Sequence, residues 1–542
     1  MNDDLNKIKT FKDLKNIFVN LFPIFFRRKN KIGLISLCCY RYEKIYQKEK
    51  FDRYLYVRKK YYPIKFLLGK GIKINGRKYS YFFNISKISI DASDLKQCPP
   101  QNLCVVRFIN ENRVLKFPVV YNAIYYNKYI GVTGPIYKYP NSDLVCYFRQ
   151  TRMNSIAVTV RNRNVTDSMS MSIKIFFAKI LSFLTLKKDI ILLYEKESNK
   201  YEESARTVYE RLIDLGYKNV YFVIRKTSNH IDFIDNKYRK NIIYSFTFKH
   251  FYYFFKCHKF IGTETVPHSI ELRTKNSLLM RKMIKKNYRM VFLQHGVMYM
   301  IALNPSSRGA FLKGGNEMPL DAKVVVSSKL EREHFIKLGG FSKSDLYISG
   351  LPFYDRTIKK PDADKIVIML TVRIWEMNLL ESNYKESKYY QMICSILDNI
   401  PDEYKNKVYV LPHPLLLDKF KKSDISVPEI ISYDKILEDT ALLITDYSSI
   451  AYSAFYRGAN VIFCWEELKE CMKHYKSHLM LNSKNVFGDV SRNYSDLPKL
   501  IEKNYMVKQS LKNKKRYEKI VEFHDNKNTD RLIKMLKKDK FI

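Results

Sequence analysis

The segment ALLITDYSSIAYSAFYRGANVIFC, residues 441–464, runs an apolar strand directly into an acid and two adjacent hydroxyls. Leu442, Leu443 and Ile444 read as the strand, Asp446 to Ser449 as the turn, and a helix is expected to start there. Either Ser448 or Ser449 suffices to cap that helix, and Gly458 fits the position just past its end. The second hydroxyl is then left for a ligand. A helix N-terminus presents free N–H groups and partial positive charge, and uncharged hydroxyl donors beside it suit a diphosphate. A helix cap with one incidental serine is the plain alternative. Asp446 would repel a phosphate, so its expected role is to bond backbone or a ribose hydroxyl.

Two further strand ends carry histidines. In VFLQHGV, His295 follows an apolar run, and Gly296 lets the chain turn or approach a ligand closely. An imidazole at a cleft edge is expected to titrate near neutral pH and to accept a hydroxyl proton, although many such rings are merely half-buried. In VYVLPHP, His413 is held between Pro412 and Pro414, which restrict the backbone around it. A rigid structural corner is the alternative there. In open parallel sheets ligands bind beyond the carboxyl ends of the strands, so these three ends are where chemistry is expected.

The elements that must position them follow from the hydrophobic pattern. Residues 32–165 alternate with period two and are rich in turns: GIKINGRKYSYFFNISKISIDASD has an Asn-Gly hairpin signal, and NLCVVRFINENRVLKFPVVYN reads as two strands. From DIILLYE onward, strands alternate with helices such as ESARTVYERLIDLG and LEREHFIKLGG. The alternation restarts after Gly350 with KIVIMLTVR, KYYQMICSILDNI, KVYVLPHP, the Asp446 strand and NVIFCW. The expected fold class is therefore α/β, with two Rossmann-like domains facing a cleft and a small β-rich domain ahead of them. The predicted divisions are 1–31, an amphipathic basic segment; 32–170, the β-rich accessory domain; 171–350, the first Rossmann-like domain; and 351–542, the second, ending in a basic helix.

The chain has 542 residues, 46% hydrophobic, enough for several cores. Lys and Arg number 96 against 54 Asp and Glu, a formal net charge of +42. That excess calls for a polyanion: nucleic acid, an anionic membrane face or a phosphate-rich substrate. No zinc finger, aromatic stripe of an RNA-binding sheet or basic recognition helix is present in the pattern, so nucleic acid is not the expected partner. Nine scattered cysteines without paired metal spacing point to reduced thiols. The first residues lack the apolar core of a signal peptide, and no membrane-spanning run is expected, so the protein is predicted to stay inside the cell. Two stripes suit either a lipid surface or an internal core: Phe11, Leu14, Ile17, Phe18, Leu21 and Phe22 on one helical face, stopped by Pro23; and Ile173, Phe176, Phe177, Ile180 and Leu184.

Taken in order, LQHG, LPHP and ITDYSS resemble the CDP-glycerol glycerophosphotransferases of teichoic acid and capsule synthesis. YISGLPFYD is similar to that family's Gly-x-Pro-x-x-Asp crossover and MLTVR to its Pro-Thr-x-Arg strand end, over residues 189–525. The resemblance implies a GT-B fold, with the acceptor in the first Rossmann-like domain and the nucleotide donor in the second. It implies transfer of glycerol phosphate from CDP-glycerol to a hydroxyl of a lipid-linked acceptor with release of CMP. It casts His295 as general base, His413 beside the donor diphosphate, and Ser448 and Ser449 as phosphate-binding hydroxyls. Thr445 and Asp446 lie nearby, Arg373 is a basic donor contact, and Gly296 lies on the acceptor side. No metal or other cofactor is implied. The implied partners are a CDP-activated polyol, the acceptor polymer and an anionic membrane surface at the cytoplasmic face; self-association into a homo-oligomer is compatible with it.

Two departures bear on the substrate. Many members have Trp-His-Gly-Thr-Pro where this chain has Gln294-His295-Gly296-Val297-Met298, and Ser453 stands where many have aspartate. CDP-ribitol in place of CDP-glycerol, a nucleotide sugar on the same fold, and a non-catalytic polyanion-binding scaffold are the competing expectations.

Overall fold

The structure, a computed structural model, describes residues 18–43, 53–57, 60–77, 79–96, 101–102, 104–110, 113–121, 135–150, 156–186, 189–272, 274, 276–304, 311–314, 318–413, 416–420, 425, 427 and 433–542. The chain divides into two compact units, Met1–Leu184 with Glu271–Lys285, and Thr185–Ile270 with Lys286–Ile542.

The first unit is built from β1 (Phe18–Arg28), β2 (Lys31–Glu43), β3 (Arg53–Val57), β4 (Lys60–Pro63), β5 (Lys65–Phe66), β6 (Ile72–Asn75), β7 (Tyr79–Asp91), β8 (Gln101–Asn102), β9 (Cys104–Asn110), β10 (Arg113–Tyr121), β11 (Tyr137–Lys138), β12 (Leu144–Gln150) and β13 (Ile156–Asn162). Nine of these form one sheet in the order β4-β3-β9-β10-β1-β2-β7-β5, with β6 also on β7; the others form a second sheet, β11-β12-β13-β8. Period-two patterning decides which face goes inward: Asn84, Ser86, Ile88 and Ile90 of β7 are buried, and the residues between them are only half-buried. Ile32, Leu34, Ile88 and Ile90 share one core with Tyr137, Phe148, Ile156 and Val158 of the smaller sheet. Two sheets with inner faces in contact make a β-sandwich.

The expected N-terminal amphipathic helix is corrected here. Phe11, Leu14 and Ile17 lie outside the described residues, while Phe18, Leu21 and Phe22 belong to β1. That Phe-, Val- and Ile-rich run pairs with β2, and Pro23 falls where the pairing shifts register between Leu21 and Ile24. A residue with no N–H is tolerated at such an irregularity, so Pro23 does not end the element. The second stripe does form a helix, Met169–Leu184, which clusters with the first unit. Ile175 and Ala178 are its buried residues, whereas Phe176 is 51% and Leu184 71% exposed. The apolar stripe read from the sequence therefore does not pack into a core.

The second unit holds two parallel sheets. The first joins β14 (Ile191–Tyr194), β15 (Val220–Ile224), β16 (Ile242–Tyr244), β17 (Lys259–Gly262), β18 (Arg289–Phe292), β19 (Ala322–Val326) and β20 (Leu346–Ile348) in the order β16-β15-β14-β17-β18-β19-β20. The second joins β21 (Lys365–Ile368), β22 (Val408–Val410), β23 (Thr440–Thr445), β24 (Asn460–Cys464) and β25 (Asp489–Ser491) in the order β22-β21-β23-β24-β25. Their strands are short continuous apolar runs, as sheets covered on both faces require. Strand order reverses at β14 in one sheet and at β21 in the other, which opens a crevice beyond the carboxyl ends there. These are two Rossmann-like domains, and the architecture is GT-B.

The crossover Gly350-Leu351-Pro352-Phe353-Tyr354-Asp355 joins the two sheets and anchors the last helix, Asn528–Lys538. The Asp355 carboxylate accepts from the N–H groups of Asn528 (3.0 Å) and Thr529 (2.7 Å), which lie in the first turn of that helix and lack intrahelical partners. Arg531 donates to the Ser349 carbonyl at 3.0 Å, so the chain's end returns to the first sheet. Gly350 adopts φ +78°, and a Cβ on it would lie 2.2 Å from Asn528 Oδ1. Gly350→Ala is therefore expected to destabilise the protein by about 2 kcal/mol or more, through both backbone strain and the clash. Thermal unfolding beside a Gly216→Ala control, whose added Cβ meets nothing within 4 Å, would show a clearly larger fall for Gly350→Ala.

Candidate active site

A cleft of about 670 Å³ lies in the second unit, lined among others by His295, His413, Ser448, Ser449, Glu203 and Arg457. His295, His413, Ser448 and Ser449 come from the turns after strands, whereas Arg457 stands at the end of the helix Ile450–Tyr456. His295 follows β18 after Leu293 and Gln294, the latter buried and in left-handed backbone conformation (φ +62°). Gln294 Nε2 donates to the Val325 carbonyl, which anchors this strained residue to β19 and turns the next side chain toward the cleft. Gly296 faces the second sheet: a Cβ there would lie 3.4 Å from Ser449 Oγ.

The His295 ring lies between two carboxylates. Its Nε2 is 2.8 Å from Glu264 Oε1 and its Nδ1 is 3.4 Å from Glu203 Oε2. Burial alone would lower the imidazole pKa, but the two carboxylates outweigh it and hold the ring protonated, up to about 10. The expectation of near-neutral titration is thereby corrected: in the free protein His295 is an imidazolium. Burial raises the carboxyl pKa of Glu203, but the bond to His295 brings it down to about 2, and Glu264 is lowered for the same reason. Glu203 is placed by a buried neighbour. Both carboxylate oxygens of Glu195 accept backbone N–H groups, those of Glu202 (2.9 Å), Glu203 (2.9 Å) and Arg206 (3.0 Å), tying the turn that starts the helix Ser204–Asp214.

His413 follows β22, and its N–H donates to the Tyr389 hydroxyl at 3.1 Å. Burial, helped by the charge of Lys196, lowers this imidazole to about 4. The cleft thus presents one cationic and one neutral imidazole, set apart by their neighbours. Ser448 Oγ accepts the Ile450 N–H at 3.4 Å, and Ser449 stands at the N-cap position of the helix Ile450–Tyr456 without a side-chain bond to it. Ser448 thus bonds the first turn of the helix, and Ser449 is exposed in the cleft.

Arg373, Thr445 and Asp446 lie beneath that rim instead of lining the cleft. Asp446 accepts from the Thr371 N–H (3.0 Å), the Thr371 hydroxyl (2.8 Å) and the Tyr447 N–H (2.6 Å), and Arg373 Nη1 is 2.6 Å from its Oδ2. Both side chains are essentially inaccessible, at 1% and 0%. A buried charge must be paired, and Arg373 is both paired with Asp446 and shut off from the cleft, so it is not a free contact for the donor. The Thr445 hydroxyl donates to the Met369 carbonyl. Of the two roles weighed for Asp446, bonding to backbone is the one observed.

The sequence reading passed over Glu203, Glu264, Lys196, Lys200 and Arg457. The strand-end rule would have reached Lys196 and Lys200 from DIILLYE, whose strand they follow. Glu264 was hidden because β17 is only four residues long. Arg457 donates to the Ser453 carbonyl at 3.2 Å and pairs with Asp434, contacts that no spacing reveals.

Two parallel sheets, a cleft at their carboxyl ends, and an acid-flanked histidine opposite a hydroxyl-lined helix start place the chain among proteins of the two-Rossmann type. The chain belongs to the CDP-glycerol:poly(glycerophosphate) glycerophosphotransferases, whose family model matches residues 176–538. It is 24% identical over 381 residues to the minor teichoic acid biosynthesis protein GgaB of Bacillus subtilis (strain 168), covering 65% of this chain and 40% of GgaB. The chain thus spans well under half the length of that relative. Among solved structures, the wall teichoic acid polymerase TagF matches at TM-score 0.47 and 14% identity, over 68% of this chain and 96% of that one. A TagF variant soaked with CDPG matches at TM-score 0.45 and 12% identity, over 70% and 98%.

The His295 pKa of about 10 stands above its ordinary 6.5, so the folded state gains from the proton fully below pH 6.5 and loses that gain as pH rises through 10. The stability difference between the wild-type protein and His295→Gln is expected to shrink steadily from pH 6.5 to 10 in thermal unfolding. A constant difference would mean the ring carries no proton held by Glu203 and Glu264.

Proposed function

We propose that this protein transfers glycerol phosphate from CDP-glycerol to a hydroxyl of a lipid-linked acceptor and releases CMP, in synthesis of a teichoic-acid- or capsule-type polymer. The observation that carries the reading is His295 held between Glu203 and Glu264 in a cleft that also presents Ser448, Ser449 and His413. Family membership and the role of GgaB in minor teichoic acid biosynthesis support it. The first sheet serves the acceptor and the second the nucleotide donor.

In this reaction the acceptor oxygen forms a bond to the β-phosphorus, the bond from that phosphorus to the bridging oxygen breaks, and CMP departs with the electron pair. Ser448, Ser449 and neutral His413 offer hydrogen bonds to the diphosphate, and Lys196, Lys200 and Arg457 supply positive charge where it develops. Thr445, Asp446 and Arg373 act at one remove by fixing the turn that holds the serines. No metal cofactor is assigned to the transfer. The hydroxyl proton goes to His295 once the ring has given up its own. The 3.4 Å contact to Glu203 is the longer of its two, so the Nδ1 side is where the hydroxyl enters.

Purified protein with CDP-glycerol and a lipid-linked acceptor is expected to release CMP, and CDP-ribitol and UDP-sugars to give less nucleotide. His295→Ala, and Ser448→Ala with Ser449→Ala, should each lower turnover by about a hundredfold or more. Since kcat/KM reports ionisations of the free protein, it should climb toward about pH 10, and Glu264→Gln should move that rise to lower pH by removing one of the charges that hold the proton. A flat profile between pH 7 and 9 would dismiss His295 as the base. Donor binding without any turnover would favour a scaffold.

A peripheral position on the cytoplasmic face of the membrane is part of the same proposal. Among the described residues no helix is long and apolar enough to cross a membrane, while Phe176, Phe177, Phe183 and Leu184 stand exposed on Met169–Leu184. Such a stripe with Lys174 and Lys179 beside it suits an anionic interface. Phe176→Ser with Phe177→Ser is expected to weaken sedimentation with phosphatidylglycerol vesicles by about tenfold or more. Equal sedimentation of this variant and the wild-type protein would remove the helix from that role.

A further inference from the structure

The strongest unassigned feature is a second cavity, of about 630 Å³, in the β-sandwich unit. Its size falls within the range of small-ligand sites, roughly 300–1,000 Å³. Five cations line it, Arg28, Lys29, Lys31, Lys65 and Lys87, against one carboxylate, Asp91. Among the described residues none of the five forms an ion pair, and Lys60 nearby takes Asp94.

The strand register brings these charges together instead of separating them. Lys65 of β5 stands directly opposite Lys87 of β7, and like charges facing across a ladder destabilise it unless something neutralises them. Lys29 adds its charge from the β1–β2 turn in left-handed conformation (φ +48°), where a glycine or asparagine would cost less. Gly33 cannot carry a side chain: a Cβ there would lie 1.9 Å from the Ile88 carbonyl oxygen and 2.8 Å from the Phe26 ring, which lines the cavity. Lys87 Nζ covers that ring from 5.4 Å, and the Tyr62 hydroxyl is bonded to Asp94. Among the described residues these are the two aromatic rings that line the cavity, and a cation covers Phe26, so stacking surface for nucleobases is limited.

We propose that this cavity binds a phosphodiester polyanion without bases, namely the poly(glycerophosphate) chain named for the family, as a site additional to the catalytic cleft. The ligand's identity rests on the function proposed above; the site itself rests on the cluster of unneutralised cations. Successive phosphates of such a chain would neutralise Lys65 and Lys87 together and release their counterions.

The test uses the full-length protein and a synthetic glycerol phosphate decamer, with binding measured in the absence of CDP-glycerol. Lys65→Ala with Lys87→Ala is expected to weaken decamer binding about tenfold and to flatten its log–log salt dependence by about one to one and a half, as loss of two phosphate contacts requires. Lys65→Arg with Lys87→Arg should keep the affinity. An RNA homopolymer of equal charge should bind more weakly and respond less. Unchanged decamer affinity in the alanine variant would overturn the site, and RNA binding as tight and as lysine-dependent would overturn the ligand. CMP release is scored separately: its absence with lysine-dependent decamer binding intact would count against the proposed reaction and leave the site standing.

Discussion

Every described strand in the two α/β sheets runs parallel to its neighbours, so all strands of a sheet end on the same rim. That constraint decides where chemistry can stand. Side chains within the strands are buried in apolar layers, and only the turns after them are free to carry polar groups. Glu195 and Lys196 follow β14, Glu264 follows β17, His295 follows β18, His413 follows β22 and Ser448 follows β23. Residues far apart in the chain meet because the topology leaves them one place to go.

Charge is handled in two ways at that rim. Below it, Asp446 and Arg373 are wholly buried, and each satisfies the other together with backbone groups. Such a pair holds geometry and lies out of reach of a ligand in the cleft. At the rim, His295 meets two carboxylates while still 37% exposed, so its proton is held by neighbours yet within reach of substrate. The contrast between His295 and His413 has the same origin: one ring faces carboxylates, and the other faces burial and a lysine.

In the β-sandwich, charge is gathered instead of paired. Its inner faces close a core, and its edges and turns gather lysines whose like charges meet in register.

Periodicity and strand-end motifs in the sequence determined the two tandem α/β units, the GT-B class, the cleft histidines and the serine pair, because parallel strands are continuous apolar runs and the residues after them are exempt from that pattern. The basic stretch SLKNKKRYEKIVEF, residues 510–523, reads as the terminal helix and holds Leu511–Tyr517, but the last helix, Asn528–Lys538, lies beyond it, and its place depends on Asp355. Strands as short as β16, β17 and β25 give too little periodicity to register, and Glu264 was lost with one of them. The segment from Phe18 to Phe22 shows the opposite failure. Its apolar spacing fits a helix face, but pairing with β2 overrides local pattern, since strand hydrogen bonds depend on a partner distant in sequence. Only the tertiary structure decided that Arg373 and Asp446 pair in the interior, that the helix Met169–Leu184 leaves its stripe exposed, and that Glu203 and Glu264 close on His295. Ionisation and burial are properties of neighbours, and the order of residues along a chain does not state which neighbours folding will supply.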